Sequence, residues 1–167
     1  MSTQTDYTDE EWQLLRMLPF AVATAVMIAD ASGPIAMLHE SFASVYGLGE
    51  ALSLYRDNTL LQALFAPEAG APPISSPDLD DIAHTEARNQ ASMQYAHEVV
   101  AICARACAIL TSKGTPTELE EYRRLVVHVA EKVANASREG GFLGFGGERV
   151  SGTERMLISE LGAALGL

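Results

Sequence analysis

At 167 residues and a formal net charge of −11, the chain suits one domain that buries roughly two thirds of the surface its unfolded form would expose, with no need of a disulfide or metal staple. Its 22 acids against 11 bases set a negative field that repels phosphate backbones and anionic headgroups, which excludes nucleic acid as an expected partner. Residues 1–9 are polar and acidic without a basic stretch, so no secretory signal is expected; the apolar runs 18–29 and 99–110 are each shorter than the ~20 residues of a membrane span and read as core helices.

Thr8-Asp-Glu-Glu11 has the form of a capping box, with Tyr7 and Trp12 at the two positions of a hydrophobic staple, so a first helix is expected from about Asp9 with Trp12, Leu15 and Leu18 on its buried face. Pro19 lacks an amide proton and is expected either to kink this helix or to open a second one. The run 20–31 is apolar all round and belongs at the centre of a bundle. Ser32-Gly-Pro34 reads as a turn, and the helix after it is expected to end at Gly47 as a C-cap. A weaker helical stretch, 52–65, breaks near Asp57-Asn58, and 66–77 is the longest loop signal, placed within one domain.

After Ser76-Pro77 one long helix is expected to reach about Leu110. Thr115-Pro-Thr-Glu118 is a second capping box, opening a helix to about Ser137 that buries Tyr122, Val126, Val129, Val133 and Ala136. Ser151-Gly-Thr-Glu154 caps a last helix ending on Gly166, and no alternating strand pattern occurs. The expected fold is all-α, a single-domain bundle (1–167) of about six to eight helices.

Two features carry candidate chemistry. Cys103 and Cys107, spaced i,i+4 in an apolar run, share a helix face either as buried small hydrophobes or as a metal or redox pair, although no second cysteine pair or nearby histidine completes a site. They point to a reducing, cytoplasmic location. The stretch 139–148 holds five glycines and three large apolar residues in eight positions, and each interior glycine costs a helix roughly 1 kcal/mol, so it is a shaped loop. Its candidate site residues are Gly140, Gly141, Phe142, Leu143, Phe145, Gly146 and Gly147, with Asn135 at the end of the preceding helix and Glu139 and Glu148 as flanking carboxylates.

Four readings of the loop stand open. Backbone amides before a helix start could cradle phosphate, but the Lys-Ser/Thr of a P-loop is replaced by Gly147-Glu148. Glu139 and Glu148, with Glu154 behind them, could hold a divalent cation, which takes carboxylate and carbonyl oxygens; the EF-hand rhythm is absent. Phe142, Leu143 and Phe145 could pack back on the bundle as an apolar plug, or dock a protein partner or a second copy to give a homodimer. Among the other polar groups, His128, Glu131, Glu121 and Asn135 line one helix edge, His84, Glu86 and His97-Glu98 read as solvated, and Ser151 is better explained as an N-cap than as a nucleophile. No catalytic constellation stands out.

The chain also resembles itself. Residues 22–32 set beside 127–137 match Val22 to Val127, Ala25 to Ala130 and Ala29-Asp-Ala-Ser to Ala134-Asn-Ala-Ser, and Gly-Leu follows in each copy (20–48 and 125–167). Gly147-Glu-Arg-Val-Ser-Gly-Thr-Glu154 with Leu157, Leu161 and Leu165-Gly-Leu167 resembles the second half of the TerB-like helical family associated with tellurite resistance; Asp30, Gly33-Pro-Ile35 and Glu40 resemble its first half more loosely. The family's Asp-Gly turn reads Asn135 before the long loop in the second copy and Asp30-Ala-Ser-Gly33 in the first. The resemblance implies an all-helical pseudo-twofold core, acidic residues that bind cations, and a stress-response role without a defined reaction.

Overall fold

The computed structural model describes residues 2–29, 45–66, 85–136 and 152–167. Among them are one turn of 3-10 helix, Gln4–Asp6, and six α-helices: α1 Asp9–Ala29, α2 45–54, α3 Thr59–Leu64, α4 Thr85–Lys113, α5 Pro116–Ala136 and α6 Gly152–Leu165. No strand occurs among the described residues, and the all-α bundle expected from periodicity is what forms. Helices α1, α4, α5 and α6 all pack on one another, while α3 lies against α1 and α5. Their inward faces make one core in which Leu15, Leu18, Val22, Val26, Cys103 and Leu110 meet Tyr122, Val126, Leu161 and Leu165.

Local signals set where these helices begin. Thr8 N–H donates to Glu11 Oε2 at 2.8 Å and Glu11 N–H to Thr8 Oγ1 at 3.2 Å, a closed capping box, while the Tyr7 and Trp12 rings meet at 5.6 Å as the staple requires. The same reciprocal pair opens α5, with Thr115 N–H to Glu118 Oε2 at 2.7 Å and Glu118 N–H to Thr115 Oγ1 at 3.2 Å. Helix α6 stops in a Schellman motif: Leu167 N–H reaches Gly162 O at 2.9 Å, Gly166 N–H reaches Ala163 O at 3.1 Å, and Gly166 takes φ +79°, which a side chain disfavours.

Pro19 neither ends the helix nor starts another, and α1 continues through it for 21 residues. A proline at position 19 removes the N–H that would have bonded Leu15 O one turn back. Tyr122, wholly buried on α5, donates its hydroxyl to that carbonyl at 2.8 Å. The gap in the helical ladder is therefore filled from the neighbouring helix, and burial pushes the Tyr122 phenol well above its usual range. The apolar run counted as 18–29 is thus part of a longer element. Among the described residues α1 is the one helix long and apolar enough to cross a membrane, and 61% of its most apolar window is buried in the bundle.

A second departure is Gly47. It lies inside α2 and does not end a helix. A Cβ there would stand 3.1 Å from Lys132 Cβ and 3.5 Å from Val129 Cα, so the glycine serves close approach of α2 to α5, continued by fully buried Ala51 one turn on. The break expected near Asp57-Asn58 is present: Asn58 Oδ1 caps α3 by accepting from Leu61 N–H at 3.0 Å. A helix of six residues is not stable by itself, and both its ends are held from outside. Glu121 of α5 accepts from Asn58 Nδ2 at 2.7 Å, and buried Arg16 of α1 donates from Nε to Leu64 O at 3.0 Å. On α5 the expected Tyr122, Val126, Val129 and Val133 are buried together with Leu125, Ala130 and Ala134, whereas Ala136 is half-buried. The turn at 32–34, the segment 67–77, the Ser76-Pro77 start and Ser151 lie outside the described residues, as do parts of both repeat copies.

Two stability outcomes follow. Tyr122→Phe strands the Leu15 carbonyl without a donor and is expected to cost about 1–3 kcal/mol; in a Pro19→Ala background, where the helical N–H is restored, that cost should shrink, and denaturant unfolding of the four-protein cycle measures the coupling. Additive effects would show that the two residues do not share this carbonyl. Glu118 is buried, and although desolvation raises its pKa, the N–H bonds from Thr115 and Ser2 outweigh it and hold the carboxyl below the usual range. Glu118→Gln is expected to cost about 2 kcal/mol near neutrality. With the folded-state pKa lowered, that advantage of the wild type is complete above roughly pH 4.5 and disappears as pH falls through the depressed value; a gap unchanged in acid would contradict it.

Candidate functional site

The loop expected to carry a site is framed by α5 and α6. Asn135 stands in the last turn of α5, exposed, and its Nδ2 donates to Glu131 O at 2.7 Å, the bond of a side chain turned back on its own helix. Glu139, Gly140, Gly141, Phe142, Leu143, Phe145, Gly146, Gly147 and Glu148 lie outside the described residues. Glu154 falls within α6.

Of the three polar residues read at heptad spacing along α5, one, Glu121, fastens a neighbouring helix. Glu121 holds Asn58, as above. His128 Nε2, buried and without a hydrogen-bond partner, points at Glu50 Oε2 of α2 from 3.6 Å, beyond hydrogen-bond reach. The same carboxylate oxygen receives Lys132 Nζ at 2.7 Å, and that ammonium holds the Glu50 carboxyl below its usual range. Glu131 is exposed. Sequence reasoning found His128 but missed Glu50 and Lys132, because an i,i+3 or heptad pattern on one helix says nothing of which segment will lie across it. The only sequence signal for that segment is the Gly47/Ala51 spacing of small residues.

Cys103 and Cys107 are free and buried in the core beside Tyr122, as small hydrophobes are. Burial, reinforced by the neighbouring Cys107, pushes the Cys103 thiol up to about 12. Cys107 Sγ lies 3.6 Å from Leu165 O, so its weak donor is spent on the last turn of α6. The Cys103 thiol, with so little thiolate, is neither a nucleophile nor a ready ligand. Among the described residues, no group of three or more His, Cys, Asp or Glu side chains is placed to hold a metal ion.

Two surface depressions accompany these groups. One, about 240 Å³, runs between α1 and α4 over Leu14, Met17 and Ile102, with Glu10 and Arg105 at its rim. The other, about 500 Å³, follows the face of α4 that presents Met93, Gln94, His97 and Glu98; His97 and Glu98 are exposed, as expected of solvated positions. Neither brings a nucleophile, a base and an oxyanion donor together.

Comparison with protein-family models, with curated proteins and with solved structures finds no match to this chain.

The thiols give a direct check. In the native protein both cysteines are expected to resist Ellman's reagent near pH 8 and to react only as the fold opens, whereas denatured protein should titrate two thiols. A fast-reacting thiol in the folded state would place one of them in a different, electropositive environment.

Proposed function

We propose that this chain is a non-catalytic, TerB-like helical module that acts by binding or scaffolding in a stress response, in a reducing cytoplasmic compartment, with a protein partner or a second copy of itself as its ligand. The observation that carries the reading is how the described polar groups are used. Glu11, Glu118 and Asn58 complete helix starts, Arg16 closes the end of α3, and Glu50 and Glu121 fasten α2 and α3 to α5. With these groups committed to fastening, this reading assigns recognition to the large apolar residues Phe142, Leu143 and Phe145 among glycines, between α5 and α6 in sequence. The pseudo-twofold relation of 20–48 to 125–167 belongs to the same proposal. The competing reading is a divalent-cation or small-molecule site built on Glu139 and Glu148 with Asn135 beside it, supported by the two carboxylates that flank the glycines.

A thermal-shift titration of chelator-treated protein with calcium, magnesium, manganese and zinc separates the two, since an ion that binds the native state raises its stability by mass action. The scaffold reading expects no shift, and expects Glu139→Ala and Glu148→Ala to change stability by less than about 0.5 kcal/mol. It also expects Phe142→Ala and Phe145→Ala to alter solution mass against concentration, or partner capture, without unfolding the bundle. A cation-dependent rise lost in the two glutamate variants would replace it with the cation site.

A further inference from the structure

The segment Ser2–Tyr7 lies across the end of the bundle where α1 begins and α4 turns into α5. Its internal hydrogen bonds are closed on themselves: Asp6 N–H reaches Thr3 O at 3.0 Å, Tyr7 N–H reaches Gln4 O at 3.1 Å, Thr3 N–H reaches Asp6 Oδ2 at 2.7 Å, and the hydroxyls of Ser2 and Tyr7 share a bond of 2.8 Å. Among the described residues it makes one hydrogen bond to the bundle, from Ser2 N–H to Glu118 Oε1 at 2.9 Å across 116 positions of sequence. The rest of its attachment is contact: the Tyr7 ring against Trp12, Lys113 Nζ 5.8 Å above that ring, and the 3-10 turn packed on α3.

Both borders of this segment fall where the bundle is already complete. Thr8, immediately after Tyr7, closes the α1 box with Glu11 through bonds that involve no residue before it. Glu118 divides its carboxylate, with Oε2 capping α5 through Thr115 and Oε1 holding Ser2. If the segment leaves, no helical hydrogen bond breaks, α5 keeps its cap, and the freed Oε1 meets water instead of remaining buried and unpaired.

We propose that Ser2–Tyr7 is a strap, latched by the spare oxygen of the α5 capping carboxylate, that opens while the bundle stays folded and uncovers Trp12 and the α4–α5 turn. Opening also removes the 3-10 turn from α3, whose six residues then depend on Asn58 and Arg16 alone for their end contacts.

Native-state hydrogen exchange on the full chain tests this, together with acrylamide quenching of Trp12, the sole tryptophan. The Asp6 and Tyr7 amides are expected to exchange through an opening roughly a hundredfold more populated than the one that exposes the cores of α1 and α5. Ser2→Pro deletes the latch N–H, together with the hydroxyl that meets Tyr7, and leaves Glu118 in its cap; it should speed those two amides by roughly tenfold or more and make Trp12 more accessible, with α5 amides at wild-type rates. Tyr7→Ala should give the same pattern through loss of the ring contact. Equal protection of strap and core amides in the wild type would overturn the proposal, because the segment would then open only with the whole molecule. So would core exchange that rises in step with strap exchange in both variants.

Discussion

The bundle depends on one hydrogen bond between helices. Helix α1 touches α3, α4, α5 and α6, so it must run unbroken through the core, yet it carries Pro19 at its midpoint with the side chain buried. An interior proline costs a helix about 3 kcal/mol, in part by leaving the carbonyl four residues back without a donor. Here that carbonyl, Leu15 O, receives the Tyr122 hydroxyl. The bond also fixes the depth and rotation of α5 against α1, because a buried phenol needs an acceptor as much as the carbonyl needs a donor. Packing around it follows: Cys103 and Cys107 of α4 are small enough to lie beside the Tyr122 ring, and Leu161 and Leu165 of α6 close the remaining side.

A surface this acidic would push its own elements apart if the carboxylates were left to repel one another. Three of the described glutamates are instead given two tasks each. Glu11 caps α1 and takes the Lys113 ammonium from the end of α4; Glu118 caps α5 and takes Ser2 N–H; Glu50 accepts Lys132 with His128 alongside. An exposed ion pair contributes little, but one whose carboxylate is already fixed by a capping box gives up less side-chain freedom when it forms. Sharing a preorganised group in this way makes the ends of α1, α4 and α5 one cluster.

Much of the fold was legible because its signals are local. The boxes at Thr8–Glu11 and Thr115–Glu118, the staple at Tyr7 and Trp12, and the Gly166 stop each need only residues within one or two turns, and each forms as its spacing implies. Of the two expectations for Pro19, a second helix does not begin there, because the compensation for its missing N–H comes from Tyr122, more than a hundred residues away. Gly47 was misjudged because glycine marks both helix ends and close helix contacts, and only the facing Lys132 and Val129 decide between them. Ser2 on Glu118 had no sequence signature, and Glu50 on Lys132 had only the indirect one of small Gly47 and Ala51, since neither spacing nor composition reports which surfaces meet. Of the candidate site, Asn135 was correctly put at the end of α5, and its amide proves to be engaged with Glu131 O.

Helix α5 carries most of the long-range relations. Its core face holds Tyr122 and the valines, its edge holds α2 and α3 through Glu121, Val129 and Lys132, its start holds the strap through Glu118, and its last turn leads through Asn135 toward the glycine-rich stretch. From Glu118 to Asn135 is ~25 Å along the helix axis at 1.5 Å per residue. A helix pinned on three sides cannot slide or rotate without breaking buried contacts, so it transmits displacement poorly and positions its two ends well. Changes at the strap therefore stay at the Glu118 end of the helix. Interfaces that switch do so by moving between discrete packings. In this chain the strap, with its single hydrogen bond to the bundle among the described residues, and the six-residue α3 it touches are elements with few bonds to give up.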